Sequence, residues 1–250
     1  MGMSRVRRVL AESEDAARFD LAEYESALGR LLAGEPLAHV LGEWPFRENA
    51  YRVSPAVLIP RPETEVLVDL ALGALAAHPA PKVLDLGTGS GCIAIEIALA
   101  REDASVTAVD VSAAALDVAA DNAARLGAER VRFVRSDWYA ALGNERFDLI
   151  VANPPYVAED DPHLPALRHE PAGALVSGAD GLDALRAIVL GAPGRLQGPA
   201  WLGVEHGFDQ SEAVQALFRS AGFTHPQAHT DLAGIPRAVC GRLSVSVLNG

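Results

Sequence analysis

Cysteine is scarce. Cys92 and Cys240 are the only two in 250 residues, far apart and outside any Cys-x-x-Cys or Cys/His spacing. That excludes a disulfide framework, leaves no structural zinc motif, and fits a reducing, cytoplasmic setting. His39, His163, His169 and His206 are scattered without metal spacing, so no metal is expected. Half of the residues are hydrophobic, yet no run of 18 or more apolar residues is free of charges or turn formers, which argues against a membrane span. The N-terminal MGMSRVRRVLAESED is basic but has no apolar h-region after it, so no secretory signal is read. Positive charge is also in deficit: 21 Lys and Arg face 33 Asp and Glu, a net −12. That counts against a broad nucleic-acid footprint and is compatible with a basic protein partner. Glu159-Asp160-Asp161 reads as a solvated loop, with attraction of such a partner as its other use.

What is present is regular. DLAEYESALGRLLA (20–33) reads as a helix, with capping-box spacing at Asp20 and Glu23 and Gly34 as its stop. Residues 44–58 suggest a small hairpin around Arg47-Glu48-Asn49, and Pro62 opens a helix of about 15 residues. From residue 82 strands and helices alternate: strands at 82–86, 105–110, 130–136, 147–152, 201–207, 223–229 and 236–247, helices at 92–100, 112–126, 182–191 and 211–221. This spacing predicts an α/β fold with a mostly parallel, seven-stranded sheet covered on both faces. The expected division is a short N-terminal helical segment with a hairpin over 1–61, then one α/β domain over 62–250.

The first strand runs into Asp85-Leu86-Gly87-Thr88-Gly89-Ser90-Gly91, where a helix begins. Glycines allow a tight turn and bring backbone N–H groups and a helix N-terminus against a ligand. No Lys-Ser/Thr follows, so this is not a P-loop. Asp110 ends the second strand 23 residues after Gly87, where an acid can accept both ribose hydroxyls of an adenosine; its plain alternative is an N-cap. A pyrophosphate favours G-x-G-x-x-G, so G-x-G-x-G leans from NAD toward S-adenosylmethionine. The third strand ends in Ser136-Asp137-Trp138, which offers a carboxylate for an adenine amino group and an indole to stack on the base.

The fourth strand breaks into Asn153-Pro154-Pro155-Tyr156. Two prolines remove two donors and fix two φ angles. In a doubly wound sheet this strand lies beside the first, so the turn faces the glycine loop. An amide or conjugated amine nitrogen is a poor nucleophile because its lone pair is delocalised. With one N–H held by Asn153 Oδ1 and the other by the Pro154 carbonyl, that nitrogen can pyramidalise as it attacks. Tyr156 can stack on the planar group. Neither a metal nor a covalent intermediate is needed.

At these residues the sequence resembles the HemK/PrmC family of protein-(glutamine-N5) methyltransferases. The likeness runs through GEPLAHVLGEWPF (34–46), VSPAVLIPRPETE (53–65), VLDLGTGSG (83–91), NPPYV (153–157), EPAGAL (170–175), DGLDALR (180–186), EHG (205–207) and DLAGIPR (231–237). NPPY alone is shared with adenine-N6 methyltransferases; IPRPETE is more selective. The resemblance implies a Rossmann-like class I S-adenosylmethionine-dependent fold and methyl transfer to the GGQ-motif glutamine of class I peptide chain release factors, leaving S-adenosylhomocysteine. It implies that Gly87, Thr88, Gly89, Ser90, Gly91, Asp110, Trp138 and Asn153 contact the cofactor. Asn153, Pro154, Pro155 and Tyr156 would hold the glutamine, with Asn153, Pro154 and Tyr156 catalytic. Arg61, Glu63 and Glu65 match a signature without a derivable chemical role; an ion-pair or capping use is expected.

Two features depart from the family pattern. About 40 residues precede the hairpin where relatives carry a longer helical domain, and PGRLQGPAW (193–201) replaces a Gly-Gly turn before the fifth strand. The competing readings are a glutamine methyltransferase for a large-subunit ribosomal protein, an adenine-N6 nucleic-acid methyltransferase, and a non-catalytic cofactor-binding protein. The acidic composition disfavours the nucleic-acid reading, and the intact NPPY and glycine loop disfavour the non-catalytic one.

Overall fold

The computed structural model describes residues 21–243. The helices are α1 (Leu21–Leu32), α2 (Leu37–Leu41), α3 (Glu65–Leu75), α4 (Cys92–Ala100), α5 (Ala113–Leu126), α6 (Asp183–Gly191) and α7 (Ser211–Ser220). The strands are β1 (Glu43–Phe46), β2 (Asn49–Arg52), β3 (Lys82–Leu86), β4 (Ser105–Asp110), β5 (Arg132–Arg135), β6 (Phe147–Ala152), β7 (Leu196–Glu205), β8 (Phe223–Thr230) and β9 (Pro236–Leu243). The proposed cap at Asp20 and the end of the last expected strand lie outside the described residues. Among the described residues no helix is long and apolar enough to cross a membrane.

Seven strands form one sheet in the order β5-β4-β3-β6-β7-β9-β8, parallel except for β9, which runs against both of its neighbours. Each central strand is buried on both faces. In β3, Val83 joins one apolar cluster while Leu84 and Leu86 join the other; in β6, Leu149 and Val151 point to the first and Ile150 and Ala152 to the second. Helices α3 and α4 cover the first face, α6 and α7 the second. The chain moves outward through β4 and β5, then returns to place β6 against the free side of β3, with Leu86 opposite Ala152. That reversal of strand order opens a crevice at the carboxyl ends of β3 and β6, where such sheets bind ligands.

The β1–β2 hairpin is fastened to this body by polar contacts. Its turn residue Arg47 has φ 51°, and the Arg47 N–H donates to Glu65 Oε1 at 3.0 Å. Asn49 Nδ2 and the Tyr51 hydroxyl both donate to Glu96 Oε1 of α4 at 2.8 Å. Buried Asn122 of α5 accepts from the Arg52 N–H at 2.7 Å and donates to the carbonyls of Arg52 and Ser90. One amide thus joins hairpin, helix and glycine loop.

Several boundaries differ from expectation for local reasons. The helix announced by Pro62 starts as a 3₁₀ turn over Pro62–Thr64 before α3. The third parallel strand pairs only over Arg132–Arg135 rather than 130–136. Strand β7 begins at Leu196 instead of Trp201, because Leu196 pairs with Phe147 and a bulge absorbs Gly198 and Pro199.

Candidate active site

A cleft of about 220 Å³ lies at the strand-order reversal. Its floor and walls include Gly87, Thr88, Gly89 and Ser90 after β3, Asp110 after β4, Trp138 after β5, and Asn153 and Pro155 after β6. Four separate strand ends therefore deliver the residues singled out from the sequence to one place. Gly91, Pro154 and Tyr156 do not line the cleft.

The three glycines have different tasks. All have positive φ, at 73°, 55° and 83° for Gly87, Gly89 and Gly91, a region that side chains disfavour. A Cβ on Gly91 would lie 3.0 Å from both Ala119 Cβ and Ile95 Cδ1, so Gly91 lets α4 and α5 approach; a Cβ on Gly89 meets nothing within 4 Å.

The expectation that the loop presents its N–H groups to a ligand needs correction. The Gly87 and Thr88 N–H groups donate to the Val109 carbonyl at 2.9 Å, and Gly91 N–H donates to the Thr88 carbonyl at 2.8 Å. Gly89 N–H donates to Asp110 Oδ2 at 3.0 Å. A pyrophosphate would find these four donors occupied. The surroundings are acidic as well, with Asp110 and Asp137 on the cleft wall. The site thus fits a cationic adenosyl cofactor better than a dinucleotide.

Asp110 braces the loop and is not the helix cap. Its Oδ1 accepts from Ser112 N–H at 2.9 Å, while Ser112 caps α5 by accepting from Ala115 N–H at 3.2 Å. Asp85, below the loop, was not singled out. It is fully buried, accepts from the Thr88 hydroxyl at 2.6 Å and keeps Oδ1 without a partner among the described residues. Burial pushes its carboxyl up to about 7, against the opposing pull of the Thr88 hydroxyl. Such a group gains from a nearby cation. Burial also pushes the Cys92 thiol up to about 12, so this cleft residue is an unreactive thiol.

At the end of β6, Asn153 Nδ2 donates to Thr64 Oγ1 at 3.1 Å. Its Oδ1 is buried with no partner among the described residues. An unpaired buried acceptor costs about 1–3 kcal/mol, and this one belongs to a side chain on the cleft wall. Tyr156 is turned elsewhere: its hydroxyl donates to Glu205 Oε1 at 3.2 Å, and its ring packs on the core beneath α6 and α7. Gln210 Nε2 donates to the Tyr156 carbonyl at 2.9 Å, and Gly181 passes so close that a Cβ would lie 2.3 Å from that oxygen. The ring is positioned more firmly than a freely stacking platform requires.

Glu205, at the end of β7, is fully buried; it belongs to the EHG segment, where the sequence suggested no role for it. Burial pushes its carboxyl up to about 7; the neighbouring Thr64 hydroxyl works against that rise, the negative charge of Glu63 with it. Two of the signature residues near Thr64 have structural partners. Arg61 pairs with Glu170, and Glu65 caps the hairpin turn. These contacts span 109 and 18 positions, so local pattern gave no sign of the first.

A model of the methyltransferase small domain matches residues 64–170. A Thermus thermophilus 16S rRNA N2 G1207 methyltransferase, solved with AdoMet and guanosine, superposes with a TM-score of 0.60 at 21% identity, covering 80% of this chain and 49% of that one. It supports the fold. A release factor glutamine methyltransferase of Burkholderia pseudomallei is 46% identical over 251 residues, covering 97% of this chain and 88% of the relative. One from Bordetella pertussis is 50% identical over 246 residues, covering 97% and 91%. With identity at this level along almost the whole of both proteins, the chain belongs to the family of release factor glutamine methyltransferases.

Proposed function

We propose that the chain methylates the side-chain amide nitrogen of the GGQ glutamine in class I peptide chain release factors, using S-adenosylmethionine. The observation that carries this reading is the unpartnered, buried Oδ1 of Asn153 on the wall of the glycine-loop cleft. A carboxamide N–H₂ is the complement of that lone acceptor.

When bound, S-adenosylmethionine supplies an electrophilic methyl group on a sulfonium. Gly87, Thr88, Gly89 and Ser90 would form its bed, Asp110 would accept from ribose hydroxyls, and Trp138 would pack on adenine. Asn153 Oδ1 would hold one N–H of the glutamine amide and favour a pyramidal nitrogen, whose lone pair leaves conjugation with the carbonyl. As the N–CH3 bond forms, the S–CH3 bond would break, leaving S-adenosylhomocysteine, and the amide nitrogen would shed a proton to solvent. Pro154 and Pro155 fix the backbone there, so the acceptor is in place before the substrate arrives. Tyr156, bonded to Glu205, would stiffen that turn from behind the cleft wall. The net charge of −12 favours a protein substrate over a nucleic acid. Such a substrate places the reaction with the translation machinery, in the cytoplasm.

The test is methyl transfer from radiolabelled S-adenosylmethionine to a purified release factor and to the same factor with its GGQ glutamine changed to alanine. Label on the first alone is expected. Label on neither, with the cofactor bound, would reject the substrate; label on a ribosomal protein or nucleic acid instead would name the replacement.

A further inference from the structure

The geometry points to Thr64 as a positioning residue that fixes which way round the Asn153 carboxamide sits, so that its oxygen and not its N–H₂ faces the cleft. This rests on the proposed amide methylation and extends it to Thr64, which lies in the IPRPETE segment but was given no role there.

A carboxamide is nearly symmetric in shape, and a flipped Asn153 would present two donors to a substrate that also offers donors. Something must break that symmetry. Thr64 is 2% exposed, sits in the 3₁₀ turn before α3, and lines the same cleft. Its Oγ1 accepts from Asn153 Nδ2 at 3.1 Å. By itself a hydroxyl could donate or accept, so the contact alone would not choose an orientation. Glu205 makes the choice. It stands beside Thr64, takes the Tyr156 hydroxyl on Oε1, and leaves Oε2 without a hydrogen-bond partner among the described residues. Above about pH 7, where Glu205 is ionised, it only accepts, so the Thr64 proton is drawn toward it. The Thr64 lone pairs are then left for the Asn153 amide, which must point its N–H₂ inward and its oxygen outward. Polarity thus passes from Glu205 through Thr64 to Asn153, from β7 to β6 by way of the turn before α3. Tyr156 ends on the same carboxylate, which ties both polar members of NPPY to one buried group.

The experiment uses the full chain and three variants. In Thr64→Val the shape is kept and the hydroxyl lost; kcat should fall about 30- to 100-fold, while the dissociation constant for S-adenosylmethionine and the KM for release factor stay within about threefold. Thr64→Ser keeps the hydroxyl and should remain within about threefold of wild type. Equal kcat in Thr64→Val and wild type would overturn the proposal, as would a Thr64→Ser enzyme as slow as Thr64→Val. A loss that lay wholly in cofactor binding would also overturn it. A readout without substrate guards against misfolding: in wild type the Asn153 side-chain N–H₂ resonances, assigned by their loss in Asn153→Asp, should be protected from solvent exchange. Free exchange there would sink the idea whatever the variants do. An inactive wild type with protected resonances would count against the substrate and leave the positioning intact.

Discussion

The Arg61 guanidinium and the Glu170 carboxylate, 109 positions apart, form an ion pair at the rim of the cleft, and Glu170 Oε2 also accepts from the Ile59 N–H at 2.9 Å. The pair joins the segment entering α3 to the excursion that follows NPPY. Pro171, Gly173 and Ala174 of that excursion line the cleft opposite the glycine loop. Its base is closed by the Val157 N–H donating to the Leu175 carbonyl at 2.8 Å and the Ser177 N–H to the Val157 carbonyl at 2.9 Å. Glu170→Ala would leave a buried N–H and a guanidinium without their acceptor. The expected loss is about 2 kcal/mol of stability by urea unfolding, with weaker cofactor binding. A loss under about 0.5 kcal/mol would reduce the contact to an ordinary surface pair.

Asn153→Ala removes the lone acceptor from the cleft. Transfer to release factor should drop at least about 100-fold, while circular dichroism and cofactor affinity remain close to wild type. Near-normal turnover would take Asn153 out of the mechanism.

Asp110→Ala acts on two things at once, because the carboxylate braces Gly89 and Ser112 as well as facing the cleft. Calorimetry should show cofactor affinity falling about 10- to 100-fold. An unchanged dissociation constant would mean that the ribose is held elsewhere and that the loop keeps its shape unaided.

Gly91→Ala and Gly89→Ala should separate packing from conformation. Both place a side chain at positive φ, a cost of about 1 kcal/mol. Gly91→Ala must also force α5 away from α4, for a total above about 2 kcal/mol. In Gly89→Ala the methyl group has room in the protein, so cofactor affinity should suffer more than stability. Equal stability losses in the two would contradict the contact geometry.

The Glu205 carboxyl, at about 7 when folded, predicts an acid-favoured term in stability. Unfolded, it titrates near the ordinary 4.5. Between those values the folded chain holds a proton that the unfolded chain has lost, so this contribution is present at low pH and disappears as pH rises through about 7. Relative to Glu205→Gln, wild type should lose on the order of 2 kcal/mol between pH 5 and pH 8. Comparison with the variant cancels Asp85, which shifts the same way, and the depressed His39 and His206, which act oppositely. Parallel curves would show that water or Arg237 keeps Glu205 ionised.

Elements with strong local punctuation were readable to the residue. Lys82–Leu86, Cys92–Ala100, Ser105–Asp110 and Phe147–Ala152 all matched, because each is bounded by glycine, acid or proline and buried on a pattern that the residue types announce. The start of β7 was hidden because Gly198 and Pro199 look like a turn until Phe147 is known to pair with Leu196. The cleft's main residues were legible for the same reason as the strands: they sit at strand ends. Thr64 and Glu205 were not, because their contacts with Asn153 and Tyr156 cross 89 and 49 positions and exist only once β6, β7 and the turn before α3 are assembled. The glycine loop taught the opposite lesson. Its motif was plain, yet its donors face inward.

The pinned base of the excursion after NPPY has a practical side. Because Val157 and Val176 meet in a bridge, the length of chain between them is uncoupled from the spacing of the strands on either side. The exposed Glu159-Asp160 stretch, outside both the bridge and the Glu170 anchor, is therefore a natural place to graft a fluorescent reporter or an affinity handle. A probe there would be carried on the same excursion as Pro171, Gly173 and Ala174, which line the cleft, while those residues themselves stay unmodified.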